Sequence, residues 1–447
     1  MGPWQLIVIE LMDDYISFFQ IFFIILILLF CIIKQARIKK MNIFISLCDP
    51  LVTGLIIAEL TAAFVPIYMY IHGWMYRPED FIFSYLTTEI ALFLGVFLGS
   101  KGIFGKKDVF IVDKIDDNSI YVRKRLYIFY LLLFFAVRAF YFYSSGTFPL
   151  FSDQYYIFFF DSSPISTRIS IDIYLIVCIL WVDSFNYISN KKMNYFIGIL
   201  IVITFILSAQ KGLILYLFSA VFFIELYNLK IGKPPHNINT KFAIILLLGA
   251  VCIATLPMVV VNWNNDDYNS ILAMAIRVIG NGDGFPLFYG LPKTSSILFE
   301  NTGLFNFIWA NIATFHFHFG YNMDEIPTTE LRWIMSSTGD YVVPVIRHNL
   351  IAIKLFGIDY GWIYSFFLGI SIGFVTRWLY RRMYHVGFLL FLVYCLIYNA
   401  IIETISNYQF VLRFETLLIN VPIILLFYWV FYPKSCKRES KKEGSKK

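Results

Sequence analysis

FIFSYLTTEIALFLGVFLG, residues 81–99, is a mostly apolar run. A bilayer hydrocarbon core about 30 Å thick is crossed by roughly 20 helical residues, so this stretch is long enough to span a membrane. Similar runs recur along the chain and are separated by short polar loops. The pattern predicts an all-α, polytopic integral membrane protein.

The composition agrees with that fold class. Of 447 residues, 59% are hydrophobic and 15% charged, and the mean hydropathy is +0.70, far from soluble proteins. No polar stretch is long enough for a soluble domain, so residues 1–447 are predicted to form a single membrane domain. The six cysteines occur singly, without a CxxC pair, and indicate neither a disulfide framework nor a zinc site.

The apolar runs predict about eleven transmembrane helices by length and hydropathy. The predicted spans are 16–33, 51–71, 81–99, 126–143, 169–188, 194–208, 212–229, 242–261, 361–379, 386–404 and 416–432.

Lysine and arginine predict the orientation of these spans. Basic stretches follow the first, third, fifth, seventh and ninth spans, and the tail 433–447 is also basic. All of them then lie on one side, which the positive-inside rule makes cytoplasmic. The amino terminus is therefore predicted to be outside, and the carboxyl terminus and its tail inside.

One large external segment, residues 262–360, is predicted opposite the basic loops. Within it, 297–319 is nearly long enough to span, but its polar side chains, such as Glu300 and His316, make burial in lipid costly. We interpret the segment as short interfacial helices, or helices that fold back between the spans. Whether 297–319 crosses the membrane stays open.

RVIGNGDGFPLFYG, residues 277–290, is unusual within this segment. A helical run that contains Arg277 ends at Gly280, and Gly282 and Gly284 flank Asp283. Glycine permits positive φ and lets a ligand approach backbone amides, so an arginine, exposed amides and a carboxylate come together. The alternative interpretation is a helix C-cap followed by a loop with an internal Arg–Asp pair.

A second polar cluster occurs in PVIRHNL, residues 344–350, where Arg347, His348 and Asn349 follow a proline. Arginine and asparagine near the bilayer surface suit a phosphate, and histidine can exchange a proton near neutral pH. The alternative for His348 is helix capping.

Three further site candidates are cations predicted on the outer side, against the positive-inside bias. Lys211 lies in a tight turn between two spans, where a polar residue is expected in any case. Arg332 and Arg413 are secondary candidates. FHFHFG, residues 315–320, suggests a metal, but no third ligand has an obvious spacing, so aromatic packing is favoured and no metal site is predicted.

The layout resembles the Wzy-type oligosaccharide repeat-unit polymerases, also called O-antigen polymerases. The resemblance rests on the number of spans, the basic cytoplasmic loops, the Lys-Gly turn at 211–212, and the segments 277–290 and 344–357. It implies location in the bacterial inner membrane and polymerisation of undecaprenyl-diphosphate-linked repeat units at the periplasmic face. It also implies a metal-independent glycosyltransferase without a cofactor, with a chain-length regulator and a flippase as partners beside the bilayer. No nucleic-acid partner is expected.

The chemistry of that reaction assigns roles to the candidates. A sugar hydroxyl attacks the donor's anomeric carbon while the diphosphate leaves, so arginines and glycine amides stabilise the developing negative charge. Diphosphate binding is predicted for Arg277, Arg347, Lys211, Gly282 and Gly284. Asp283 is the first choice for the base and His348 the second. Asn349 is a secondary candidate for the site, without an assigned role.

Two other functions stay open at this point. An O-antigen ligase would use the same donor with a different acceptor. A polysaccharide flippase or other transporter would be expected to place charged residues along a midplane pathway between two similar halves. The sugars, the linkage formed and the oligomeric state are not readable from the sequence.

Overall fold

A computed structural model describes residues 43–100, 117–146, 148, 164–208, 213–233, 284–299, 347–383, 385–403, 420–427 and 429–430. These described ranges are helical with connecting turns, and they contain no strand. The all-α prediction is confirmed for them.

The helices are labelled in chain order. They are α1 (Ile43–Leu47), a π-helical segment (Val52–Ile57), α2 (Ala58–Ile71), α3 (Pro78–Ser100), α4 (Asp117–Ser145), α5 (Pro164–Ser184), α6 (Lys191–Leu207), α7 (Leu213–Lys230), α8 (Gly284–Gly290), α9 (Pro292–Phe299), α10 (His348–Met383) and α11 (Phe388–Glu403). Residues 420–427 are also helical.

Three described helices are long and apolar enough to cross a membrane: Pro78–Ser100, Ile120–Tyr143 and His348–Met383. Two shorter apolar helical stretches are Ile173–Ser184 and Phe388–Ile402. Large apolar side chains on the outside of the bundle, including Phe97 at 64% exposure and Leu132 at 66%, are compatible with a lipid bilayer. The count of eleven spans stays a prediction, since 16–33, 242–261 and most of the predicted external segment lie outside the described residues.

Helices α3 and α10 pack closely through glycines. Gly95 and Gly99 in α3 face Gly369 and Gly373 in α10, and a Cβ at any of the four would overlap backbone of the opposite helix. Each pair is spaced as in GxxxG, a motif that brings membrane helices into backbone contact. Residue numbers increase in the same direction along both helices, so the two run parallel, as the predicted topology requires of these two spans.

Helix α10 is a hairpin rather than one rod. Gly357 has φ 74° and ψ 179°, a conformation essentially restricted to glycine, and divides α10 into 348–356 and 358–383. A continuous helix would separate His348 and Ser365 by about 25 Å, yet their side chains are hydrogen-bonded. Residues 348–356 therefore fold back on the helix that follows, which is one of the two arrangements predicted for the external segment.

The apolar interior consists of two clusters. The larger one is built mainly by α4, α5, α7 and α11. The smaller one joins side chains of α2, α3, α8 and the first part of α10. This second cluster brings the described ends of the two unusual sequence segments, 284–290 and 347–357, to the same part of the molecule.

Candidate functional site

An ion pair between Arg347 and Glu59 lies at the centre of the second cluster. Arg347 Nε donates to Glu59 Oε2 at 2.9 Å, and a second guanidinium nitrogen contacts Oε1 of the same carboxylate. Both side chains are almost wholly buried, at 0% and 1% exposure. Burying two charges is costly unless they are paired and hydrogen-bonded, so each residue depends on the other.

His348 extends this pair to a second carboxylate. Its Nδ1 forms a 2.9 Å hydrogen bond with Ser365 Oγ. Its Nε2 faces the opposite way, 3.4 Å from Glu89 Oε1 and 3.8 Å from Glu59 Oε2. The bond to Ser365 fixes the ring orientation, and Nε2 itself has no hydrogen-bond partner.

Asn349 holds the second carboxylate from the other side. Its Nδ2 donates to Glu89 Oε1 at 3.1 Å and to Thr88 Oγ1 at 2.9 Å. Glu89 is 12% exposed, whereas Asn349 is completely buried. Three consecutive residues at the start of the hairpin thus contact two carboxylates from different helices.

Aromatic side chains enclose one side of the cluster. Tyr289 stacks on Phe81 with ring centroids 4.4 Å apart, and Tyr85 meets Phe285 edge to face at 5.4 Å. The hydroxyls of Tyr85 and Tyr289 are buried and have no hydrogen-bond partner. Burial raises the pKa of the Tyr289 phenol above its usual range, and the charge of Glu89 acts in the same direction.

A backbone contact ties α8 to this site. The amide of Tyr76 donates to the carbonyl of Tyr289 at 2.8 Å, which links α8 to the turn between α2 and α3.

A helical turn with π geometry, Val52–Ile57, lies immediately before α2 and Glu59. Such π-bulges are frequent at functional sites.

The cluster lies beside the middle of α3 and not at its end. Glu89 is near the middle of α3, and Ser365 is about 10 Å along the helix 358–383 from its start. The hairpin returns Arg347, His348 and Asn349 to this level. That these three residues lie near the bilayer surface stays a prediction.

The structure brings together three of the predicted site residues and places a fourth nearby. Arg347, His348 and Asn349 share one cluster, and Gly284 begins α8, whose Phe285 and Tyr289 pack beside it. The remaining candidates lie outside the described residues: Arg277, Gly282, Asp283, Lys211, Arg332 and Arg413.

The two carboxylates of the cluster are not among the site residues that the sequence predicted. Glu59 and Glu89 each occur within an apolar predicted span. An ionisable residue inside a membrane segment is by default a functional candidate, and this signal could have identified both.

A second buried ion pair occurs elsewhere in the bundle, between Arg123 in α4 and Asp183 in α5, at 3.3 Å. Arg123 also donates to the Tyr227 hydroxyl at 2.7 Å, and its guanidinium lies 4.3 Å from the centre of the Phe388 ring. The pair lies in the larger apolar interior and joins four helices. It is comparable to the first cluster in burial and in pairing an arginine with a carboxylate.

Comparison with known proteins gives no relative: no family model, no curated protein and no solved structure matches the chain.

Proposed function

We propose that the chain polymerises undecaprenyl-diphosphate-linked oligosaccharide repeat units into O-antigen or a related surface polysaccharide at the periplasmic face of the bacterial inner membrane. One observation carries the proposal. The described ends of the segments 277–290 and 344–357, which carry the family resemblance, pack in one aromatic cluster around the buried charges of Glu59, Glu89 and Arg347. Buried charges among apolar helices are typical of functional sites.

The reaction is assigned mainly to the segment 277–290. A hydroxyl of one sugar attacks the anomeric carbon of the donor, the bond from that carbon to the diphosphate oxygen breaks, and the diphosphate leaves with the electron pair. Arg277 and the amides of Gly282 and Gly284 are proposed to stabilise the leaving diphosphate. Asp283, next to Gly284, is proposed to take the hydroxyl proton, with His348 as the second candidate.

Arg347 has a different role in this proposal from the one the sequence suggested. Its guanidinium is held by Glu59 and is completely buried, so a direct contact with a diphosphate would require the ion pair to separate. We assign Arg347 as a positioning residue that fixes the start of the hairpin and the orientation of Glu59.

The test of the site is an assay of polymerisation in cells. Arg277→Ala and Arg347→Ala are each expected to abolish long polysaccharide chains while the protein still inserts into the membrane, and Arg347→Lys is expected to recover little because it loses the bidentate geometry. Arg77→Ala is the matched control, since Arg77 pairs with Asp80 at an exposed position. Full-length ladders from the Arg277 and Arg347 variants would refute these roles.

Arg347→Ala leaves Glu59 buried without its partner, so a second variant separates folding from function. Replacing both residues, as Glu59→Gln with Arg347→Gln, removes both charges and is expected to restore the amount of folded protein but not polymerisation. Restored ladders would show that the ion pair is only structural.

The proposed base is tested separately. Asp283→Asn is expected to lower turnover by about 100-fold or more, the usual size of a general-base effect, and to change binding of the lipid-linked substrate much less. The measurements are the rate of chain extension with purified protein and the affinity for the lipid-linked unit. Unchanged turnover would transfer the base role to another group.

Buried charge inside the bundle favours one second candidate, a transporter of lipid-linked units. Glu59, Glu89 and Arg347 lie among apolar helices, where a flippase would carry its coupling groups. A deletion strain separates the functions: loss of a polymerase leaves single-repeat chains on the core, whereas loss of a ligase or a flippase leaves bare core. Bare core in the deletion strain would reject the polymerase.

A further inference from the structure

The cluster of Glu59, Glu89 and His348 has the donor atoms of a transition-metal site. One carboxylate oxygen from each glutamate and one nitrogen of the histidine all lie within 4.8 Å of one another. These three groups come from three different helices, α2, α3 and the start of α10. Three protein ligands with a further open position are the usual arrangement of a catalytic zinc site.

Each of the three ligands is oriented by a neighbouring group. Ser365 holds His348 at Nδ1 and leaves Nε2 facing the carboxylates. Arg347 holds Glu59, and Asn349 holds Glu89. Metal-ligating histidines and carboxylates characteristically have such outer partners, which fix the tautomer and the orientation of the ligand.

The charges of the cluster also bear on what the three donors can hold. His348 is completely buried, and its Nε2 lies 3.4 Å from Glu89 Oε1 and 3.8 Å from Glu59 Oε2. The two glutamates carry one more negative charge than the guanidinium of Arg347 balances, and either a proton on His348 or a bound cation supplies the missing positive charge. A buried excess of charge is unfavourable, and a cation between the three donors would offset it.

We infer that Glu59, Glu89 and His348 bind a divalent transition cation of the zinc class. An imidazole ligand favours zinc over magnesium or calcium, which prefer oxygen. Zinc bonds of about 2.0–2.2 Å require the donor atoms, which lie within 4.8 Å of one another, to approach more closely. The site departs from the metal independence that the family resemblance implies.

The site also sharpens the roles proposed above. A cation on Nε2 makes His348 a ligand and leaves Asp283 as the base. Its open position would accept a phosphate oxygen of the lipid-linked substrate, and this last step rests on the proposed function. Cation binding itself rests on the three donor groups alone.

The test is zinc binding by the full-length chain in detergent after treatment with a chelator. Zinc added back is expected to remain at about one ion per chain after gel filtration, measured by mass spectrometry of the metal. Glu89→Gln and His348→Gln are expected to weaken binding at least 10-fold. The control is Asp183→Asn, which removes an equally buried carboxylate from the other ion pair and is expected to bind zinc as the unchanged protein does.

Two results would overturn the inference: no retained zinc in the unchanged protein, or equal binding by Glu89→Gln. X-ray absorption at the zinc edge of the unchanged protein keeps the test decisive if a variant fails to fold. Nitrogen and oxygen ligands support the site, whereas sulfur ligands would place the ion on cysteines and reject it. These measurements need no polysaccharide. A failure of the zinc site can therefore be distinguished from a failure of the proposed polymerase function.

Discussion

Arg347 and Glu59 are separated by 288 positions in the chain, yet their side chains form a hydrogen-bonded ion pair inside the bundle. Arg347 is among the largest completely buried side chains in the described residues. Removing one partner of such a pair leaves an uncompensated buried charge, which costs more than the pair contributes. This pair therefore fixes α2 against the hairpin.

At the residue scale, Glu59→Gln is expected to lower the free energy of unfolding by about 3–5 kcal/mol, the usual effect of breaking a buried pair. The measurement is thermal unfolding of the purified chain in detergent. Arg77→Gln is the control, since the exposed pair of Arg77 and Asp80 contributes less than about 1 kcal/mol. Equal effects of the two substitutions would contradict the interpretation of Glu59 as a buried partner.

The helix pair α3 and α10 is the element that sets the geometry of the site. Its glycines bring the two backbones into contact, and this contact positions Glu89 of α3 beside His348, which the hairpin returns to the same level. The turn at Gly357 and the glycine contacts together determine the distance between Glu89 and His348. A longer distance between the helices would separate the carboxylate from the imidazole.

At the element scale, Gly95→Ala is expected to destabilise the protein by about 1–3 kcal/mol, the cost of overpacking, because the new methyl group meets backbone atoms of α10 that cannot move aside. It should also reduce polymerisation beyond the loss of folded protein. Gly387→Ala is the matched control, since a Cβ there has open space. An unchanged melting temperature in Gly95→Ala would reject the close helix contact.

The whole molecule has helices that run both ways through the bundle, with α3 and the helix 358–383 parallel. The basic loops predict that both run from the outer to the inner side. The start of α3 should then face the periplasm, and the start of α6 should face the cytoplasm. Glu79 and Lys191 are exposed at these two starts.

Single cysteines in a cysteine-free chain test this orientation. Glu79→Cys is expected to react with a membrane-impermeant maleimide in intact spheroplasts, whereas Lys191→Cys should react only after the membrane is permeabilised. The readout is the labelled fraction of each variant on a gel. Labelling in the reverse pattern would invert the predicted topology and contradict a reaction of the external segment at the periplasmic face.

The residues that the sequence identified in this cluster are those whose local surroundings are unusual. Arg347, His348 and Asn349 are polar neighbours after a proline in an apolar context, which is visible without a fold. The helical character of the described spans was equally predictable, because a long apolar run in lipid must satisfy its backbone hydrogen bonds internally.

The sequence by itself determined the all-helical class and identified three residues of the cluster, Arg347, His348 and Asn349. The tertiary structure alone decided which carboxylates complete it, because Glu59 and Glu89 are distant in the chain and each resembles an isolated polar residue in a span. It also decided where along α3 the cluster lies. That position follows from the reversal at Gly357 and the glycine contact between α3 and α10. Hydropathy predicts neither feature, since it measures how apolar a segment is and not which segments touch.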